Sequence, residues 1–259
     1  MEYKVQDFCT IMEELAPLDL AMEWDNVGLQ IGDVNKTVSK VLVTLSVTMD
    51  VVRNAIDQEV DLVIAHHPLI FKPLRHIRTN SPDGALLAAL LKHDIAVYVA
   101  HTNLDQADTG LNHWLAREVG LKDPRIFLPV EGANAGLGRI GEVAPVALGE
   151  FAKRLEALWG CPVRIVGRDQ QTVSVVAVIG GSGGDYVHQA KAAGADVLVT
   201  GDVSYHDALD ATQIGLAVLD AGHFYTERIM VAEVGRYLQE RFGDGICVLQ
   251  DTSTNPFSF

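Results

Sequence analysis

Short apolar runs rich in Val, Ile and Leu, and nearly free of charge, recur at residues 41–45, 62–65, 95–100, 173–179, 197–200, 216–219 and 246–249. Runs of that length and composition predict buried strands. Between them apolar positions return every three or four residues, which predicts helices over 5–15, 50–59, 84–93, 110–119, 148–159, 185–193, 206–213 and 227–241. Strands alternating with helices make an α/β chain. The stretch 121–145, broken by Gly and by Pro124, Pro129 and Pro145, reads as the change of domain.

The pattern also repeats. Laid without gaps on residues 41–67, the segment 176–202 matches at Val41/Val176, Val43/Val178, Asp50/Asp185, Val52/Val187, Ala55/Ala190 and Asp61/Asp196. The strand that follows ends in His101-Thr-Asn-Leu-Asp105 in the first half and in His223-Phe-Tyr-Thr-Glu227 in the second. Both endings are His-x-x-x-acid. The expected fold class is therefore α/β, built as two similar interlocked α/β domains from an internal duplication. The expected division is a first domain over 1–128, with 215–259 a candidate to pack with it, and a second over 129–214.

Composition narrows the class. The 259 residues are 48% hydrophobic and 21% charged, which excludes a disordered chain, and 34 acidic residues against 20 basic give a net charge of −14. No basic stripe exists to neutralise nucleic-acid phosphates. No run approaches the ~18 consecutive apolar residues of a membrane span, and acids interrupt the opening MEYKVQDFCTIMEELAPLD, so neither nucleic acid nor membrane is expected as a partner and the chain reads as cytoplasmic. Cys9, Cys161 and Cys247 are scattered and outside any CxxC pattern, as expected of buried, reduced thiols.

The chemistry-bearing side chains collect in four places: His66-His67, His101–Asp105, residues 201–207 and His223–Glu227. All four follow predicted strands, where open α/β sheets bind their ligands. His66 and His67 interrupt an apolar run, VIAHHPLIF, where polar rings need a partner to be buried. Imidazoles with two carboxylates suit zinc, iron, manganese or nickel, and a carboxylate can bridge two ions. The second half has Gly201-Asp202 where the first has His66-His67, so it cannot rebuild the same site. One composite dinuclear centre is expected, two divalent ions per chain, held by His66, His67, Asp105, His223 and Glu227, with His101 the uncertain sixth group and Asp202 of less consequence. His76, His93, His113 and His188 read as surface or packed residues. The Gly180–Gly184 turn reads either as a phosphate cradle or as a tight βα turn. The Trp24-Asp25-Asn26 stretch reads as a structured loop around a buried indole. No Gly-x-Ser-x-Gly elbow surrounds a serine, which makes covalent catalysis a poor fit.

EWDNVGLQIGD, DLVIAHHPLIF, VYVAHTNLD, the GGSGG turn, ADVLVTGDVSYHDALDA and DAGHFYTE together resemble the type 2 GTP cyclohydrolase I family of dinuclear metal-centre hexameric proteins, in the short form without the inserted middle domain. The resemblance implies a homo-hexameric ring, ligation by His66, His67, Asp105, His223 and Glu227, with Glu227 touching both ions, and His101 close by. It also implies a small-molecule substrate, a nucleotide: GTP opened at C8 and rearranged toward a dihydroneopterin triphosphate. Water held between two cations loses its proton near neutral pH. His101 and His206 are the expected catalytic proton carriers. Two alternatives stay open: a metal-dependent hydrolase of another small substrate, and a non-catalytic metal-binding ring.

Overall fold

The computed structural model describes residues 2–258. The chain forms two compact units, the first made of the residues up to Leu104 together with Met230–Thr254, the second of Asp105–Ile229 with the last few residues. In chain order the first unit holds β1 (Tyr3–Lys4), α1 (Val5–Leu15), β2 (Gly28–Ile31), β3 (Thr37–Val38), β4 (Lys40–Thr44), α2 (Met49–Asp57), β5 (Leu62–Ala65), α3 (Pro82–Lys92) and β6 (Ala96–Val99), then α4 (Thr102–Gln106) at its border. The second holds α5 (Leu111–Val119), β7 (Lys122–Pro129), β8 (Gly136–Ala147), α6 (Leu148–Trp159), β9 (Arg164–Val166), β10 (Thr172–Ser182), α7 (Val187–Ala192), β11 (Val197–Gly201), α8 (Tyr205–Ile214), β12 (Ala217–Asp220) and α9 (His223–Glu227). The chain then returns to the first unit as α10 (Ile229–Phe242) and β13 (Cys247–Gln250).

Each unit is built on a parallel core. In the first, the sheet order is β13-β4-β5-β6-β2, parallel except for β2, which runs antiparallel to β6. In the second it is β7-β8-β10-β11-β12-β9, with β10, β11 and β12 parallel and β9 antiparallel to β12. Thus β4-β5-β6-β2 and β10-β11-β12-β9 share order and direction. Of the predicted strands, β4, β5, β6, β11 and β12 are buried on both faces, as central strands covered by helices must be. Helices begin where a side chain accepts an otherwise unbonded N–H: Thr48 from Val51, Ser81 from Gly84 ahead of Pro82, and Ser204 from Asp207.

One detail of the repeat extends to single atoms. Asp61 Oδ2 accepts from Ser39 N (2.8 Å), Ser39 Oγ (2.9 Å) and Lys40 N (3.1 Å). Asp196 Oδ2 accepts from Ser174 N (2.8 Å), Ser174 Oγ (3.1 Å) and Val175 N (2.9 Å), at the same offset that pairs Val41 with Val176. In both units a carboxylate before one strand ties down the start of its neighbour. The glycine- and proline-rich stretch after Leu121 forms the β7–β8 hairpin of the second unit. Cys9 and Cys161 are buried free thiols, whereas Cys247, expected to be buried, is exposed because β13 is an edge strand.

Candidate metal centre

In the first unit β5 delivers His66 and His67, and β6 delivers His101, to the carboxyl ends of adjacent parallel strands. The three rings converge, with centroids 5.1 Å apart for His66 and His101, 5.3 Å for His66 and His67, and 5.8 Å for His67 and His101. One nitrogen from each lies within 4.8 Å of the others. His66 is fully buried, and its Nδ1 lies 2.8 Å from the Ala100 carbonyl oxygen, an acceptor only. That nitrogen therefore carries the proton, and Nε2 keeps its lone pair. His101 has the same arrangement: its Nδ1 stands 3.0 Å from both oxygens of Asp25. His67 Nδ1 is 2.7 Å from Ser46 Oγ, a hydroxyl able to accept the same N–H.

Asp25 is the residue that residue-by-residue reading missed. Burial works against its charge, but hydrogen bonds from His101 and from the Thr102 hydroxyl and amide outweigh it and hold the carboxyl down at about 2. The indole beside it is not buried as expected: Trp24 is 57% exposed, set edge-on to Phe71 and His101. The rest of that motif holds the chain after His67. Ile70 N donates to Gln30 Oε1 (2.8 Å), and Ile70 O accepts from Asn26 Nδ2 (2.5 Å). The motif thus fixes His101 with its acid and the 68–81 segment with its two amides.

In the second unit the His-x-x-x-acid pattern of 223–227 is one short helix, α9, so His223 and Glu227 stand on one face. His223 Nε2 is 2.9 Å from Glu227 Oε2, and Nδ1 is 2.7 Å from Asp202 Oδ2. Burial disfavours the charged ring, but the two carboxylates win and lift His223 to about 9. Between His223 Nε2 and Glu227 Oε2 the imidazole and the carboxylate thus face each other in the arrangement that suits a proton or a metal cation. Asp202, expected to matter little because Gly201 precedes it, is part of this site. It takes up a left-handed backbone (φ 54) that short acids tolerate, and so faces His223.

The glycine-rich stretch has a structural role here. Gly181 has φ +66, and a β-carbon on it would overlap Glu227 Oε1 and stand 3.2 Å from His223 Nε2. Its N–H donates to Thr226 Oγ1 (3.0 Å), and that of Gly180 to Asn112 Oδ1 (2.9 Å). Those two donors are therefore committed to side chains rather than offered to a phosphate, and both glycines lie at the end of β10, where its pairing with β11 shifts register, rather than in a tight turn. Asn112 Nδ2 also donates to the Asp105 carbonyl oxygen (3.0 Å), joining the turn that bears Asp105 to the strand end that makes room for Glu227. Asp105 itself is buried at the first position of the second unit. Arg139, buried in β8, secures the chain just beyond it by donating to the Ala107 and Asp108 carbonyl oxygens (2.8 and 2.7 Å). His206 lies in the first turn of α8, edge-on to Tyr205.

Within each unit the donors are of a kind that a divalent transition metal takes: in the first, imidazoles held by hydrogen bonds at Nδ1, and in the second, His223 with the buried carboxylate of Glu227, for which the absent Cβ of Gly181 leaves room.

The sequence matches the model of the Duf34/NIF3 (NGG1p interacting factor 3) family over residues 3–256. A Streptococcus pneumoniae protein named GTP cyclohydrolase 1 type 2 homolog is 38% identical over 254 residues, covering 95% of each chain. A Bacillus subtilis protein of the same name is 34% identical over an alignment of 367 positions that covers 98% of each, so it carries a long segment this chain lacks. Among solved structures, a Bacillus cereus protein related to NIF3 superposes with a TM-score of 0.93 at 30% identity, covering 100% of this chain and 99% of that one.

Proposed function

The chain belongs to the Duf34/NIF3 family, and from that premise we propose that it is a dinuclear metal-dependent hydrolase of the GTP cyclohydrolase type. In this reading His66, His67, Asp105, His223 and Glu227 would hold two divalent ions, and Glu227 would serve both, as the resemblance implies. The observation that carries it is the common treatment of the imidazoles: His66, His101 and His223 each set Nδ1 against a carbonyl or carboxylate oxygen, so that Nε2 is the atom that would meet a metal, and at His223 that atom faces Glu227 Oε2 at 2.9 Å. Surface histidines have no reason to share that arrangement.

Bound there, two divalent ions supply Lewis acidity toward a water and toward the atom attacked. The chain's own groups do the rest. Asp25 fixes His101 in one tautomer, so His101 Nε2 is the atom that takes and returns a proton. His206 is the second proton carrier in the proposal. Burial of Glu227 and Asp105 keeps bulk water from competing for their oxygens. The names of the relatives, GTP cyclohydrolase 1 type 2 homolog, favour GTP as substrate, and opening at C8 is the reaction that the resemblance implies.

The test is metal analysis of freshly purified protein, followed by turnover of GTP and a nucleotide panel before and after chelation. About two equivalents of metal per chain, with turnover lost on stripping and restored by one divalent ion, is the expected result. Metal-free protein with undiminished turnover overturns the proposal, and full metal with no turnover of any nucleotide leaves a binding ring in its place.

A further inference from the structure

Of the segment 68–81, between β5 and α3, Leu69 and Ile70 pack against the core of the first unit, while the stretch 71–80 is exposed and belongs to no ligand set. From Pro68 to Pro82 it carries Lys72, Arg75 and Arg78 and no acid, in a chain of net charge −14. All three cations are exposed, and none is in an ion pair among the described residues, whereas Arg53, Arg164, Arg236 and Arg241 each pair with a carboxylate. The segment is not loose at its start, because Asn26 and Gln30 clamp the Ile70 peptide. Beside it lies a cavity of about 430 Å³ whose wall includes Ser46, His67, Phe71, Lys72 and Leu74, with Asp83 on the wall as well. That volume suits a small molecule. The wall thus combines His67 and its Ser46 partner, the apolar Phe71 and Leu74, and Lys72 of the cationic segment.

We infer that Lys72, Arg75 and Arg78 form the anion-binding arm of this site, taking the phosphate end of a phosphorylated small molecule whose other end lies against His67. Three cations within seven residues and no acid among them make a local positive stretch, and guanidinium groups match phosphate oxygens two at a time. The acidic remainder of the chain repels such a substrate at long range, so a local cationic arm is what allows its approach. The inference rests on the metal reading only in saying which end of the substrate reacts.

Pyrophosphate is the probe, titrated calorimetrically into whole protein at low ionic strength, with metal bound and after chelation. The test variant is Lys72→Ala/Arg75→Ala/Arg78→Ala. The control is Lys122→Ala/Lys153→Ala/Arg154→Ala, which removes the same charge from exposed positions of the second unit. We expect at least about tenfold weaker binding in the test variant, with and without metal, little change in the control, and the same metal content in all three. Absent binding by the unaltered protein, equal affinity in the test variant, an equal loss in the control, or an affinity that disappears on chelation each overturns the inference. A lack of metal in the purified protein with the tenfold difference intact would fail the metal reading and leave the arm standing. If equal affinity comes with an altered molar mass, the segment is a contact between copies of the chain and the inference is again overturned.

Discussion

Asp202 and Asp25 show how much a site depends on atoms that touch no metal. Each takes the Nδ1 proton of one imidazole, which fixes the tautomer and aims the opposite nitrogen. Loss of such a partner costs about 10–100-fold in metal affinity. Asp202→Asn is therefore expected to weaken metal binding by that factor in a chelator competition, where the duplication argument alone expects almost no change. Glu227→Gln should cost more and lower both equivalents, because a shared carboxylate serves two ions. His67→Ala should chiefly empty one position, since one imidazole offers a metal one lone pair. Metal per chain in the three folded variants gives the order, and two full equivalents in Glu227→Gln would remove the bridge from the proposal.

At the scale of elements, the paired carboxylates of Asp61 and Asp196 are a device for starting a strand. Each satisfies two backbone N–H groups and a serine hydroxyl that the sheet ladder leaves over. Replacing either with Ala strands those donors and should cost about 1–3 kcal/mol in urea unfolding. The pH dependence of Asp196 has a definite sign. Burial works against its charge, but the donors around it outweigh that and hold its carboxyl below the ordinary range. A lowered folded pKa means the contribution is complete above the unfolded value of about 3.9 and is lost as pH falls through the folded one. The stability gap between the unaltered protein and Asp196→Asn should stay level from neutrality down to about pH 5 and close in stronger acid. A gap that widens on acidification would show that the clamp does not hold the charged form.

For the whole molecule, the duplication gives one chain two α/β units whose strand ends carry unequal sets of polar side chains. The same strand order serves both units, yet the ends of β5 and β11 bear His66-His67 in one and Gly201-Asp202 in the other. A β-carbon at Gly201 would come within 2.5 Å of the backbone at Gly222 and His223, so the second copy has no room there for any larger side chain beside the start of α9. We propose that six copies associate, as the resemblance implies. Light scattering at micromolar concentration and moderate salt should return about six chain masses, and a stable monomer would defeat the proposal.

The strand and helix pattern, the duplication and the grouping of histidines were legible in the chain itself, because buried parallel strands, amphipathic helices and repeated spacings are local properties of sequence. Helices α1 (Val5–Leu15) and α6 (Leu148–Trp159) and strand β5 (Leu62–Ala65) begin and end where periodicity places them. The β7–β8 hairpin was not legible, since Gly and Pro mark breaks whether a chain leaves a domain or turns back within it. Nor was Asp25's contact with His101, across 76 positions of sequence, or the clamp of Ile70 by Gln30, across 40. Those bonds join residues with no common periodicity, and they exist only once adjacent strands bring their ends together. The sequence by itself determined which residues have the chemistry to hold metal; the tertiary structure decided which nitrogen each imidazole presents, because that depends on the acceptor folded against its other side.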